Sequence, residues 1–338
     1  MPKPKIRVSA IVPVRNEEHS IRALLDSLLE QTRRPDEIVI TDGGSTDATV
    51  QIIEEYIKRG EPIQLIREQV ALPGRGRNVA IAHSTCEWLA FADSGTRPIP
   101  NWLSLLAERV ERDPEVDMVY GAMEPVIDSF FKECAAISYL PPPDEVDGGR
   151  ARPNFLASAL LRREAWDAVG GFREDLRSAE DILFMDAVAE KNFRIVHQPL
   201  ALVHWNIQPT AWLTFKRFVT YSRNNIRAGL WRRWQASVLQ RYTLLALSML
   251  PVFLFGVRWL LVSLALWMLL LLARSLVALR RNATVFPASI GRNVFRLILL
   301  VPLVALIDCA TIVGTMDWLF RDKLRSEALA KSAGNEEA

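Results

Sequence analysis

The sequence predicts an α/β fold, a mostly parallel sheet with helices on both faces, followed by C-terminal transmembrane helices. Three observations carry this. Between residues 6 and 204, short apolar runs closed by turn residues alternate with stretches of helical spacing, the pattern of a parallel sheet wrapped by helices. Beyond Arg241 the chain becomes lipid-like, with long apolar runs. No Asp or Glu lies between Glu190 and Asp308, although arginines are frequent there. The apolar parts of that interval therefore read as membrane spans and the basic parts as cytoplasmic flanks.

In residues 6–14, Val8, Ala10 and Val12 alternate with Arg7 and Ser9, giving a first strand closed by Asn16-Glu17-Glu18. Ile21, Leu24, Leu25, Leu28 and Leu29 follow helical spacing, with Ser20 as N-cap and Pro35 beyond the end. Residues 37–41 are a second strand that ends at Asp42-Gly43-Gly44-Ser45-Thr46-Asp47. Ile52, Ile53, Tyr56 and Ile57 mark a second helix, stopped by Gly60. Residues 63–66 are a third strand, and a Gly-flanked loop at 73–77 precedes a short helix at 78–82. The centre of the pattern is CEWLAFADSGTRPIP, residues 86–100. Its apolar run from Trp88 to Ala92 ends on Asp93 and a small-residue turn. Asp93 is thus expected at the C-terminal end of a central strand, where open α/β sheets bind ligands.

A helix at 101–112 and a strand at 116–123 follow. Residues 124–152 contain Pro141 to Pro143 and Gly148-Gly149 and read as one long loop. A strand is expected at 155–161, a helix at 163–169 ended by Gly170-Gly171, and a helix from Glu180-Asp181 to about Lys191. Two short strands are expected within 193–204. Residues 212–230 read as a basic, aromatic-rich helix, and Trp231 to Trp234 as an interfacial anchor. Apolar segments 242–257, 259–277 and 297–316 are the candidate spans. Arg280, Arg281, Arg292 and Arg296 place the stretch between the last two in the cytoplasm, so three passes are the simplest count, with the C-terminus outside. Arg321, Lys323 and Arg325 argue for the other side. Asp308 is either a functional group or packed on an arginine partner. The expected organisation is a first domain at 1–230, a membrane domain at 231–320 and a polar tail at 321–338.

A net charge of +2 is too small to imply a nucleic-acid partner. Cys86, Cys134 and Cys309 show neither ligand spacing nor pairing, which suits a reducing compartment. The N-terminus has no signal-peptide pattern, so the front of the chain is expected to stay in the cytoplasm.

Six motifs occur in order over residues 6–205: VSAIVPVRNEE, ITDGGSTDAT, GRGRNVAI, FADSGTRPIPNWL, VGGF and AEDILF. Together they resemble the family 2 glycosyltransferases of the GT-A fold, a Rossmann-like architecture. The resemblance implies inverting transfer of a sugar from a nucleotide-diphosphate donor, UDP being the leading expectation, usually with a divalent metal, Mn²⁺ or Mg²⁺. Pro13, Arg15 and Glu17 fall on its nucleotide-binding turn. Asp42 falls on its base-reading Asp: a carboxylate accepts the N3–H of uracil or the N1–H of guanine, and cytosine has no such proton. The plain alternative is a turn-forming Asp.

Arg75 and Arg77 suit a diphosphate, or are a solvated basic loop; Asn78 is read as a helix cap. Asp93 falls on the first Asp of the metal motif, which here reads Asp93-Ser94-Gly95 and lacks its third-position carboxylate. His204 falls on a histidine that completes the metal site, or is a strand-end core residue. Asp181 falls on the catalytic base, which takes the acceptor hydroxyl's proton, and Glu180 beside it could orient the acceptor. Arg217 and Tyr221 suit a diphosphate or lipid phosphate, or belong to a plain membrane-surface helix.

The expectation is an enzyme anchored in the cell (inner) membrane by several passes, its catalytic domain cytoplasmic. Its acceptor would be a lipid-linked sugar, a polyprenyl phosphate or a polysaccharide precursor at the bilayer. One alternative is a processive polysaccharide synthase, opposed by Trp231-Arg232-Arg233-Trp234 standing in place of a Gln-x-x-Arg-Trp motif. The other is a non-catalytic scaffold that binds a nucleotide sugar. The incomplete metal motif favours it, and the retained Glu180-Asp181 pair opposes it.

Overall fold

The computed structural model describes residues 5–152 and 155–324. Strands β1 (Val8–Val14), β2 (Glu37–Asp42), β3 (Ile63–Arg67) and β4 (Trp88–Phe91) alternate with helices α1 (Ile21–Leu29), α2 (Thr49–Lys58) and α3 (Pro73–His83). There follow β5 (Thr96–Pro98), α4 (Trp102–Arg112), β6 (Met118–Pro125), α5 (Phe130–Tyr139) and a hairpin of β7 (Asp144–Val146) and β8 (Gly149–Ala151). Next come β9 (Ala159–Arg162), α6 (Arg163–Val169), α7 (Glu180–Glu190) and β10 (Ile195–Trp205). The chain closes with α8 (Ala211–Arg227), α9 (Trp231–Leu247), α10 (Leu250–Phe255), α11 (Arg258–Arg281) and α12 (Ile290–Trp318).

Among the described residues the main sheet runs β3-β2-β1-β4-β9-β6-β10-β5. β1, β2, β3 and β4 are mutually parallel, and β6 and β10 are parallel to each other. β9 is antiparallel to both of its neighbours and β5 is antiparallel to β10. The carboxyl ends of β1, β2, β4, β6 and β10 therefore share one edge. Successive residues of β1 feed opposite faces. Ala10 and Val12 pack with Leu24, Leu28, Trp102 and Leu106. Ile11 packs on the other face with Ile81, Phe172 and Phe184.

Four expectations change. The predicted loop 124–152 contains α5 and the β7–β8 hairpin. α5 has no clean apolar stripe because its polar Lys132 and Glu133 are buried, and Ser129 caps it by accepting from the Lys132 N–H. α3 starts at Pro73, not after Arg77, with proline in its first turn. The expected pair of strands within 193–204 is one strand, β10, irregular between His197 and Leu202, where Pro199 offers no N–H to the ladder. The strand expected at 155–161 is a 3₁₀ turn, Leu156–Ser158, followed by β9.

Contacts divide the chain into two units, Met1–Val126 with Pro143–Ile207, and Ile127–Pro142 with Gln208–Ala338. The first carries the sheet. This differs from a boundary at residue 230: α5 and α8 group with the C-terminal helices. In the second unit three helices are long and apolar enough to cross a membrane: Trp231–Phe255, Arg258–Arg281 and Ile290–Lys323. Asp308 has the arginine partner that sequence left open: the Arg274 guanidinium donates to both carboxylate oxygens, and Arg241 lies 3.9 Å away. Most of the expected polar tail lies outside the described residues.

Trp102 is fully buried and its indole N–H donates to Ser158 Oγ at 3.0 Å. Trp102→Ala should destabilise the first unit by about 3–5 kcal/mol, read as a lowered unfolding midpoint in detergent.

Candidate active site

The residues at the sheet's carboxyl edge are held by loops that bond to one another. After β1, Asn16 adopts a positive φ of 56°. Its N–H donates to Ser45 Oγ, and its Oδ1 accepts from the Thr46 N–H, both at 2.8 Å. Glu17 N–H donates to Thr49 Oγ1 at 2.7 Å, and the Glu17 carboxylate accepts from Ser20 Oγ. Arg15 is exposed on this turn and Pro13 is half-buried. Asp42, almost fully buried, accepts from the N–H groups of Gly44 and Ser45 at 3.2–3.3 Å. Its carboxylate shapes the turn after β2, as the plain reading has it.

α3 brings its N-terminal turn very close to the first unit's backbone. A Cβ on Gly74 would stand 2.0 Å from the Arg173 carbonyl oxygen, and one on Gly76 3.0 Å from Pro13 Cβ. Glycine at 74 is required by this approach. Arg75 points to two acids, Glu68 at 2.9 Å and Glu174 at 3.2 Å. Asn78 is no cap. Its Oδ1 accepts from the Phe172 N–H at 2.9 Å and Trp166 Nε1 at 3.2 Å, and its Nδ2 donates to the Phe172 carbonyl at 2.9 Å. It latches the Gly170-Gly171-Phe172 turn onto α3.

Arg77 is the centre of the arrangement. Its side chain is 4% exposed. One Nη donates to Glu180 Oε1 and the other to Asp93 Oδ1, each at 2.7 Å. The guanidinium also stands 5.5 Å over the Phe172 ring, which stacks on Phe184 at 4.0 Å. Three motifs distant in sequence, RN, the Asp93 turn and ED, thus meet at one cation. Glu180 and Asp181 open α7, and Ala179 before them sits in the left-handed region at φ 73°. That conformation is costly for a residue with a Cβ.

The Glu180 carboxyl, only 4% exposed, is pushed up to about 7 by burial against the pull of Arg77, with Asp181 adding like-charge repulsion. Its Oε2 has no hydrogen-bond partner among the described residues. Asp181 is also raised, by burial first and by Asp93, and Arg77 opposes this. Its Oδ1 accepts its neighbour's Ile182 N–H at 2.9 Å. Buried Tyr120 on β6 is raised by burial and then by Asp181 and Asp186. Nothing in the sequence singled out Tyr120 or Ala179.

His204 lies half-buried near the end of β10, paired in register with Arg97 of β5 and Glu124 of β6. The next strand residues join the Asp93 turn, since Asn206 N–H donates to the Gly95 carbonyl at 3.3 Å. Among the described residues no three His, Cys, Asp or Glu side chains converge as a metal site. Arg217 and Tyr221 belong to the second unit, on α8, where the guanidinium stands 6.0 Å over the Tyr221 ring.

The curled, mostly parallel sheet with this acidic edge is a GT-A-like glycosyltransferase architecture. Residues 9–172 match the model of Glycosyl transferase family 2, just under half of the chain. EpsJ of Bacillus subtilis, an uncharacterized glycosyltransferase, is 28% identical over 194 residues, 52% of this chain and 54% of that protein. The pre-mycofactocin glycosyltransferase of Mycobacterium tuberculosis is 26% identical over 225 residues, 62% of this chain and 45% of that one. The chain thus spans about half the length of these relatives. The solved mannosyltransferase PcManGT of Pyrobaculum calidifontis, in complex with GDP-Man and Mn²⁺, has a TM-score of 0.55 at 19% identity. The likeness covers 95% of this chain and 89% of that one.

Two substitutions test the geometry. Arg77→Met leaves buried Glu180 without its partner and should destabilise by about 3–5 kcal/mol, with Arg77→Lys recovering only part because one ammonium lacks the planar fork. Ala179→Gly relieves the left-handed backbone and should raise stability by up to about 1 kcal/mol. Unfolding midpoints of the purified protein check both.

Proposed function

We propose that the protein is a membrane-anchored, inverting glycosyltransferase that moves a sugar from a nucleotide-diphosphate donor to an acceptor held at the bilayer. The acceptor would be a lipid-linked sugar, a polyprenyl phosphate or a polysaccharide precursor, with the first unit in the cytoplasm at the cell (inner) membrane. The observation that carries the reading is the cluster of Asp93, Glu180 and Asp181 around buried Arg77 at the sheet's carboxyl edge. A scaffold has no chemical need of a raised carboxylate beside a pinned one.

Asp181 is assigned as the base that takes the acceptor hydroxyl's proton as the glycosidic bond forms. Its burial raises its basicity, which brings it nearer to what a neutral-pH base requires. Glu180 orients the acceptor. Asp93 and the turn of Pro13, Arg15 and Glu17 hold the donor, with Asp42 reading a uracil or guanine edge. Arg75 and Arg77 face the diphosphate side in this reading. Arg77 acts chiefly as a positioning residue, because both its Nη groups are committed to carboxylates.

Arg77 faces three carboxylates with one positive charge, so a divalent cation is electrostatically welcome there. Asp93 and His204, with donor phosphate oxygens and water, would hold Mn²⁺ or Mg²⁺. The metal would offset the charge of the departing diphosphate. On α8, Arg217 and Tyr221 are assigned to an acceptor or lipid phosphate.

Asp181→Asn should lower turnover at least about 10³-fold while donor binding by calorimetry is kept. Full activity in that variant would sink the assignment. Release of nucleoside diphosphate from a panel of nucleotide sugars, with Mn²⁺, Mg²⁺ or EDTA, identifies donor and metal. Loss of release in EDTA is the expected result. The acid limb of kcat/KM against pH should lie above the ordinary carboxylate range, because the base must be ionised and burial raises it.

The stability sign is the reverse of a salt-bridged acid. Glu180 holds its proton more tightly folded than unfolded, so its contribution is full below about 4.5 and lost as pH rises through about 7. The midpoint should fall over that window in the parent more than in Glu180→Gln.

A further inference from the structure

Both ends of α12 are tied to helices, α5 and α8, that stay next to the catalytic unit in the chain. α5 has 10 residues and belongs to a segment, Ile127–Pro142, whose flanks on both sides lie in the first unit. At 1.5 Å per residue α5 spans about 15 Å, half of a hydrocarbon core, and the chain returns at once. Glu133 of α5 is buried between Arg292 and Arg296 in the first turns of α12, Arg296 Nε donating to it at 3.0 Å. α8 follows the first unit directly. It carries Lys216, Arg217, Arg223 and Arg227 within 17 residues, too many charges to cross. Yet Arg223 grips the far end of α12, donating to both oxygens of Asp322 at 2.9 Å and lying 3.2 Å from Asp317. Between these ends, Ser222 Oγ donates to the Thr311 carbonyl at 2.7 Å. At Gly314 a Cβ would stand 2.5 Å from the Val219 oxygen.

Depth gives a second, independent argument. Asp308 is bonded to Arg274 and lies near Arg241. Arg274 is about 10 Å from the end of α11 at Arg281, and Arg241 about 15 Å from the start of α9 at Trp231. Along α12, however, Asp308 is about 27 Å from Ile290. A helix entering upright from the catalytic side would carry Asp308 almost across a core about 30 Å thick. Its partners on α9 and α11 stand only about 10–15 Å deep.

We infer that α12 does not cross the membrane. The α9–α10 segment and α11 form a two-pass hairpin, and α12 lies inclined within the leaflet on the catalytic side, with its C-terminal end on that side too. Its burial differs from that of the hairpin in the way this requires: 39% of its most apolar window is covered by protein, against 11% in each of the other two. The uncovered side is a stripe of Phe295, Ile298, Val313, Met316 and Phe320, all at least 40% exposed. Arg280, Arg281, Arg292, Arg321 and Lys323 lie at the ends of α11 and α12. The occupant of this stripe is lipid. The hairpin exposes apolar side chains of the same kind, among them Phe253, Leu261 and Leu269, and the terminal cations match anionic headgroups.

The test uses the full chain carrying Cys86→Ala, Cys134→Ala and Cys309→Ala in sealed proteoliposomes, with single introduced cysteines read by a membrane-impermeant maleimide. Glu115→Cys reports the catalytic side, Val257→Cys the hairpin tip, and a cysteine added after Ala338 the C-terminus. The expected result is labelling of the C-terminal cysteine together with Glu115→Cys and opposite to Val257→Cys. Labelling of the C-terminal cysteine with the Val257→Cys side would mean that α12 crosses, and labelling of all three on one side would remove the hairpin. Either overturns the inference. A spin label at Phe320→Cys should then collide with oxygen but not with a nickel chelate. Shielding from both would mean a protein partner covers the stripe, and access by nickel would mean water does. Neither readout depends on sugar transfer, so the topology and the activity stand or fall separately.

Discussion

The first unit depends on one buried guanidinium. Burying Arg77 without partners would cost several kcal/mol, so its two carboxylate bonds are obligatory, and they fix three segments at once. Asp93 comes from the end of a central strand, Glu180 from the start of a helix, and Arg77 from a helix that precedes both in sequence. A cation that satisfies two acids leaves the third, Asp181, with a burial penalty only partly offset. The same interaction that holds the fold at this edge therefore also tunes the group assigned to the chemistry.

The approach of α3 makes that contact possible. Glycines at 74 and 76 let the helix start against the backbone at Arg173 and against Pro13, and Asn78 bonds the turn that carries Phe172. Phe172 closes the apolar side of Arg77. Glycine, asparagine and the Gly-Gly-Phe turn are thus parts of one packing solution. Changing any of them acts on Asp93 and Glu180 through Arg77, without touching a substrate.

In the second unit the same principle operates in a medium of lower polarity. Glu133, Asp308 and the Asp317/Asp322 pair each meet arginines. In an apolar environment an unpaired charge is far more costly than in water. Three such pairings along one helix therefore dictate which side of it faces protein. They leave the opposite side to lipid, and they bind α12 to α5 and α8 at its two ends.

Much of this was determined by the sequence alone. Alternation of apolar runs and turns located the strands of the sheet's first half, and Asp93 at a strand end, because period-2 and period-3.6 patterns are local properties. The order of motifs was enough to indicate the glycosyltransferase family. Tertiary structure decided the rest. That Arg77 pairs with Asp93 and Glu180, that Asn78 latches a turn instead of capping a helix, and that β9 runs antiparallel between β4 and β6 all depend on residues far apart in the chain. α5 was hidden because its buried polar side chains make sense only beside Arg292 and Arg296. Hydropathy likewise gave three equivalent apolar segments, since it counts side chains and not partners. Ion pairs and burial distinguish a helix clamped along one side from two that are largely uncovered.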